Sequence, residues 1–361
     1  MANFGISRGF RSSLRSATTA TASTGGLGFH PVKDQFFPPP PTLFQHTKQP
    51  KTCSIIGAPL AFGQPYGGVD AAPDLLREAG LRDRLKSLGW RIDDLENLGF
   101  AELVDKIGST IDTDQNAKNH KLVGSSCELL KNIVHEKLGQ GNFPLTLGGD
   151  HSIALGSLSG VLSHRPDAGV IWVDAHADIH TPLTSESGNM HGMPVGLLLE
   201  DNGMDFSKIE GLAWLTTNPK LSPSQIVYVG LRDVDPAERA LLHSHNIACY
   251  TMFDVDRYGI GGVMDRAISH LLDSDQNRPI HLSYDIDAVD PADAPSTGTS
   301  VRGGLTFREA HYVAEFVAQS GNLMSCDLVE VNPSLTGRKQ SDQTVQMGLQ
   351  LITSLMGKSI L

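Results

Sequence analysis

The sequence predicts an α/β protein whose mostly parallel sheet carries helices on both faces. Three observations predict it. Apolar strand-like runs alternate with amphipathic helix-like stretches from Cys53 onward. No internal repeat and no second composition regime interrupts that alternation after Lys51, which favours one domain over two. Polar clusters recur just where apolar runs end, and ligands of open parallel sheets bind outside the carboxyl ends of the strands.

The N-terminal segment reads differently from the rest. Residues 1–33 contain no Asp or Glu and carry Arg8, Arg11 and Arg15 among Ser, Thr and Ala. That is the composition of a mitochondrial transit peptide, so the expected location is the mitochondrial matrix, with the cytoplasm as the alternative. No continuous apolar core follows the arginines, which excludes a secretory signal. Residues 34–50 include the run Pro38–Pro41 and should form an extended linker. The folded domain is expected over 51–361.

Strand-like runs then appear at Cys53–Gly57, Phe143–Leu147, Gly169–Val173, Ile226–Val229, Ile247–Tyr250, Ile280–Tyr284 and Met324–Val331. Helix-like stretches lie at Ala72–Ser87, Val123–Leu138, Ala154–Leu162, Pro236–His243, Val263–Leu272, Thr306–Gln319 and Thr344–Met356. No apolar run approaches the ~20 residues of a membrane helix. A net charge of -11 argues against nucleic acid and anionic membranes as partners, but not against a cationic substrate. Cys53, Cys127, Cys249 and Cys326 lack CxxC spacing, and are expected as free thiols in a reducing compartment.

The segment Asp174-Ala175-His176-Ala177-Asp178 closes one apolar run, and Asp285-Ile286-Asp287 closes another. Residues i and i+2 of a strand point the same way, so each set can share one side of a strand end. His151, after Gly148-Gly149-Asp150, is a further candidate, although a lone His after a strand is more often a turn residue. Together these residues give four carboxylates and two imidazoles. Such carboxylates would repel one another strongly at low dielectric, and two divalent cations would neutralise them. Oxygen and imidazole donors without Cys suit Mn, Mg, Fe or Zn.

These motifs resemble the arginases of the ureohydrolase family. Further segments carry the same resemblance: Gly57-Ala58-Pro59, Gly63-Gln64-Pro65, Ser187-Gly188-Asn189-Met190-His191-Gly192, Gly298-Thr299, Gly303-Gly304-Leu305-Thr306 and Glu330-Val331-Asn332-Pro333-Ser334-Leu335. The similarity runs from about residue 53 to about residue 355. It implies a three-layer α/β/α sandwich, two Mn(2+) per subunit, and hydrolysis of L-arginine to L-ornithine and urea by a metal-bridging hydroxide. His151, Asp174, Asp178 and Asp285 would bind one manganese, and Asp174, His176, Asp285 and Asp287 the other. Glu330 would hold the guanidinium, Asp178 would steady the nucleophile, and His191 would shuttle protons. Ser187 and Asn189 would face the substrate carboxylate. Asp233, Asp235 and Glu238 would face its amino group, and Thr299 would help fix the guanidinium end. The resemblance also implies a homotrimer or homohexamer.

One departure from the family pattern stands at His180, where arginases usually carry Asn. Three roles are open to it: a carboxylate contact, a change of substrate, or a ligand-like role near the metals. Alternative readings are therefore a ureohydrolase acting on agmatine or another guanidino acid, and a non-catalytic protein on the same fold.

Overall fold

The computed structural model describes residues 52–108 and 116–358. The expected transit peptide (1–33) and linker (34–50) lie outside the described residues. In chain order the elements are β1 (Thr52–Ala58), α1 (Ala72–Glu78), α2 (Leu81–Ser87), β2 (Arg91–Asn97), α3 (Phe100–Ile107), α4 (His120–Gly139), β3 (Phe143–Gly148), α5 (Ala154–His164) and β4 (Gly169–Val173). There follow α6 (Pro194–Leu198), β5 (Ile226–Leu231), α7 (Pro236–Ser244), β6 (Ala248–Thr251), α8 (Met252–Leu272), β7 (Ile280–Asp285), α9 (Phe307–Gln319), β8 (Leu323–Val329) and α10 (Arg338–Leu355).

All pairings among these strands are parallel, and they form an eight-stranded sheet in the order β2-β1-β3-β8-β7-β4-β5-β6. Strand alternation sorts the side chains between two cores. Ile171 and Val173 of β4 face one, with Leu271 of α8, Val313 of α9 and Leu351 of α10. Val170 and Trp172 face the other, with Val123 and Leu130 of α4, Leu158 of α5 and Val195 of α6. This is the expected α/β/α sandwich. At ~25 cal/mol per Å² of buried apolar surface, the two cores are the main force holding the sheet between its helices.

The sequence pattern missed β2 because its residues, Arg-Ile-Asp-Asp-Leu-Glu-Asn, are mostly charged and only half-buried. It is an edge strand, paired only with β1, where charge is tolerated and discourages further pairing. The helix expected over Ala72–Ser87 is two helices, broken at Gly80, whose φ of 97° suits glycine. Helix α8 begins eleven residues earlier than the periodicity indicates, because Gly259 (φ 69°) kinks it and shifts the apolar face.

Register places the site. Val173 pairs with Tyr284, so Asp174 follows its strand at the level of Asp285. Asp285 pairs with Val329, which brings Glu330 to the same edge. Leu147 pairs with Leu328, so the turn after β3 rises beside the end of β8. Gly149 in that turn lies against the backbone of Leu60, where a Cβ would overlap the Leu60 carbonyl.

Candidate metal centre and active site

Four neighbouring strands, β3, β8, β7 and β4, converge at their carboxyl ends. Asp174 follows β4 and is fully buried. Its Oδ1 accepts the backbone N–H of His176 at 2.7 Å, a tight turn that sets the next two side chains. Asp285 repeats the device: its Oδ1 accepts the N–H of Asp287 at 2.7 Å. Asp287 Oδ1 accepts the N–H of Ala175 at 3.2 Å, tying the β4 and β7 ends together. Thr299 Oγ1 donates to Asp287 Oδ2 at 2.8 Å.

His151 Nδ1 lies 3.0 Å from Asp174 Oδ2, 3.1 Å from Asp178 Oδ2 and 3.1 Å from Asp285 Oδ2. Yet that nitrogen is buried and aligned with none of them as a hydrogen bond. One nitrogen nearly equidistant from three carboxylate oxygens is the geometry of ligands around a common centre. On the other side, His176 Nδ1 lies 3.1 Å from Asp287 Oδ2 and 3.4 Å from Asp174 Oδ1. Three donor groups occur among the described residues: His151–Asp174–Asp285 and Asp174–His176–Asp287, which share Asp174, and His180–Asp235–Glu238 at the cavity wall.

The charge state makes the same demand. Burial pushes the Asp178, Asp285 and Asp287 carboxyls up, and the charge of neighbouring aspartates pushes them further. Burial also works against Asp174, but the close imidazoles of His151 and His176 outweigh it and hold Asp174 low. Burial lowers the two histidines, and their carboxylate partners raise both well above the usual imidazole range. Protons on imidazole and the Arg232 guanidinium compensate the carboxylates in part, and cations with oxygen and nitrogen ligands suit the set better. The residues present fit divalent metal ions.

A second layer, unassigned by the sequence reading, orients these donors. Trp172 Nε1 donates to Asp174 Oδ2 at 2.9 Å, and its indole stacks on the His151 ring at 4.1 Å. Ser283 Oγ lies 2.9 Å from His151 Nε2, which leaves Nδ1 as the free donor atom. Both residues stand two positions before a site aspartate on the same strand, so strand periodicity could have found them. Arg232 donates to the carbonyls of Ala288 and Val301 at 3.2 and 2.8 Å, and reaches that of Asp287, bracing the loop after β7. Asp178 (φ 48°) and Glu330 (φ 63°) both hold left-handed backbone. Such strain persists only where the surrounding structure over-determines it, as at functional sites.

Above the metal centre opens a cavity of about 250 Å³, lined by His176, Asp178, His180, His191, Asp233, Asp235, Glu238, Asp285 and Thr299 among others. His191 is half-buried, not fully accessible as a shuttle would suggest, but it faces this cavity. Burial lowers its imidazole, while Glu330, Asp178 and Asp150 raise it to about 9. His191 Nδ1 is 3.6 Å from Glu330 Oε1. Burial and the Asp178 charge push Glu238 up to about 7.

The His180 ring pairs with Asp235, one of the residues expected on the amino side, while its backbone N–H donates to the Gly192 carbonyl at 3.0 Å. Its Nε2 lies 2.8 Å from Asp235 Oδ2, and its Nδ1 lies 3.2 Å from Thr184 Oγ1. Asp235 also caps α7 through its other oxygen, accepting from Ala237 and Glu238. Ser187 and Asn189 share the His191 loop but are not among the residues lining the cavity; Asn189 Oδ1 accepts from Lys118 Nζ at 3.1 Å. Asp233 is exposed at the rim, 3.8 Å from His176 Nε2.

Fold and site together define the class: an α/β sandwich enzyme with a metal-binding type of centre at the carboxyl edge of its sheet. The arginase family profile matches residues 51–357. Among curated relatives, the chain is 45% identical over 313 residues to the arginase of Glaciozyma antarctica, covering 86% of this chain and 89% of that one. It is 47% identical over 285 residues to arginase-1 of Homo sapiens, covering 79% and 86%. Its fold matches the solved arginase of Bacillus caldovelox with a TM-score of 0.76 at 38% identity, over 86% of this chain and all of that one. The chain belongs to the arginase family and is a hydrolase of that family.

Proposed function

We propose that this enzyme is a binuclear manganese arginase that cleaves L-arginine to L-ornithine and urea. The observation that carries the proposal is Asp174, one oxygen of which faces His151 and the other His176, so one carboxylate serves two donor groups. His151, Asp174, Asp178 and Asp285 would hold one ion, and Asp174, His176, Asp285 and Asp287 the other. When bound, the pair would offset the carboxylate charge and make water a strong nucleophile near neutral pH.

The remaining work falls to this chain's own residues. Glu330 is buried beside the centre and would pair with the guanidinium, holding its carbon in line for attack. Asp178 would accept a hydrogen bond from the nucleophile and hold it toward that carbon. His191, between Glu330 and the cavity, would deliver a proton to the leaving amine and exchange it with solvent. Asp235 and Glu238 would receive the substrate ammonium at the cavity's outer wall. Thr299 donates to Asp287 and would help fix the guanidinium end. Ser187 and Asn189 would reach the carboxylate from the loop that carries His191. The Arg-bearing leader would direct the enzyme to the mitochondrial matrix, and the subunits would assemble as a trimer or hexamer.

The test is urea release by the purified, Mn-loaded chain from L-arginine, with agmatine and a second guanidino acid in parallel. Release from L-arginine alone supports the proposal. Release from agmatine in preference would move the substrate assignment to the alternative that His180 raises.

A further inference from the structure

Gln64 lies in the loop between β1 and α1 and is 7% exposed. The orientation of its amide is fixed by chemistry. Its Nε2 sits 2.9 Å from Glu330 Oε2, and an ionised carboxylate only accepts hydrogen bonds, so the nitrogen must face it. That leaves Gln64 Oε1 buried without a hydrogen-bond partner. Buried acceptors are almost always paired, and an exception calls for a cause.

The surroundings supply one. Glu330 Oε1 accepts the His151 backbone N–H at 2.9 Å, so both of its oxygens are already oriented. The Gln64 loop is pinned on several sides. Gly63 N–H donates to Asp150 Oδ2 at 2.8 Å, and the Gly63 carbonyl accepts from His191 N–H at 3.1 Å. Asn119 Nδ2 donates to the Phe62 carbonyl at 2.8 Å, and Asn332 Nδ2 to the Gly67 carbonyl at 3.2 Å. On its free side, Gln64 Oε1 faces Gly298, where a Cβ would stand only 2.8 Å away. Gly298 precedes Thr299, which lines the active-site cavity. The free oxygen is therefore held rigidly next to Glu330 and close to the cavity wall.

We propose that Gln64 completes the guanidinium site. Through Nε2 it positions Glu330, and through Oε1 it accepts an N–H from the planar cation that Glu330 pairs with. A guanidinium presents several N–H donors in one plane, so a carboxylate and an amide oxygen side by side match it better than either alone. This rests on the guanidine-hydrolase reading above and specifies how that end of the substrate is held.

The test compares two substitutions in the Mn-loaded full chain. Gln64→Leu removes both functions, while Gln64→Glu, nearly isosteric, keeps an acceptor but cannot donate to Glu330 as a carboxylate. L-ornithine serves as a competitive inhibitor that has the amino-acid end and no guanidinium. Each variant is expected to lose about 10- to 100-fold in kcat/KM for L-arginine, the range for a lost hydrogen bond to a charged group. The ornithine inhibition constant and the manganese content should stay within about twofold of the parent. A kcat/KM within about twofold of the parent would overturn the proposal. So would ornithine affinity falling in step with kcat/KM, which marks a collapsed pocket. If the parent chain releases no urea from L-arginine, the broader reading fails. Calorimetric binding of guanidinium ion then still decides this one: at least tenfold weaker binding to Gln64→Leu supports it, and equal binding refutes it.

Discussion

The candidate metal centre and the cavity mouth differ in what holds them. At the centre, His151, Asp174, Asp285 and Asp287 are buried, sit on adjacent strand ends, and are tied by turns and by sheet register. At the mouth, His180, Asp233 and Asp235 come from loops and one helix start, and two of them, Asp233 and Asp235, are exposed. The sheet fixes the geometry that the chemistry needs. The loops can change with little effect on that geometry, which is how one fold can serve several substrates. His180 illustrates this: a residue foreign to the family pattern sits at the mouth, and the donor groups below it are intact.

Substitution should separate the two regions cleanly. Asp174→Asn strikes the carboxylate shared by the two donor groups of the centre, and should lower kcat by at least about a thousandfold with loss of bound metal, read by elemental analysis. His191→Ala should retain the metal and lower kcat by about a hundredfold, with partial recovery on added imidazole. Metal loss instead would place His191 in the centre. Ser283→Ala frees the His151 ring, and Trp172→Phe removes the indole donor to Asp174. Each should weaken manganese affinity by about tenfold, measured by titration into chelated protein. His180→Asn, at the mouth, should change KM for L-arginine by about three- to tenfold and leave metal affinity unmoved. A drop in metal affinity there would erase the distinction between the regions.

The smallest effect belongs to the far edge of the sheet. Burial pushes the Asp94 carboxyl up, but hydrogen bonds from Arg77 and Arg82 outweigh it and hold Asp94 below the usual carboxylate range. A carboxyl lowered on folding adds stability that is present above its unfolded value of ~4. That stability is lost as pH falls through the lower folded value. Asp94→Asn should therefore cost about 1 kcal/mol or less at pH 7, since the pair is partly solvated, and should flatten the stability curve below about pH 4. Denaturant titrations at pH 7 and pH 3 would measure it, and activity at pH 7 should not change.

The same division explains what the sequence disclosed. The i, i+2 spacing of Asp174, His176 and Asp178 and of Asp285 and Asp287 is local, and so is the apolar run before each, so the centre was legible. Strand β2 was not, because an edge strand with a charged sequence carries no period-two apolar signal. The His180–Asp235 pair joins residues 55 apart, and the Gln64–Glu330 pair joins residues 266 apart. No local pattern encodes such contacts; only the assembled sheet and its loops bring them together. Trp172 and Ser283 lay within reach of the strand rule but look like ordinary core residues until His151 is placed between them.

The most direct test of the central claim is a manganese titration of metal-stripped protein, following bound ions per chain and urea release from L-arginine together. The shared Asp174 predicts two ions per chain, with most activity arriving with the second. Full activity with a single ion bound per chain would contradict it.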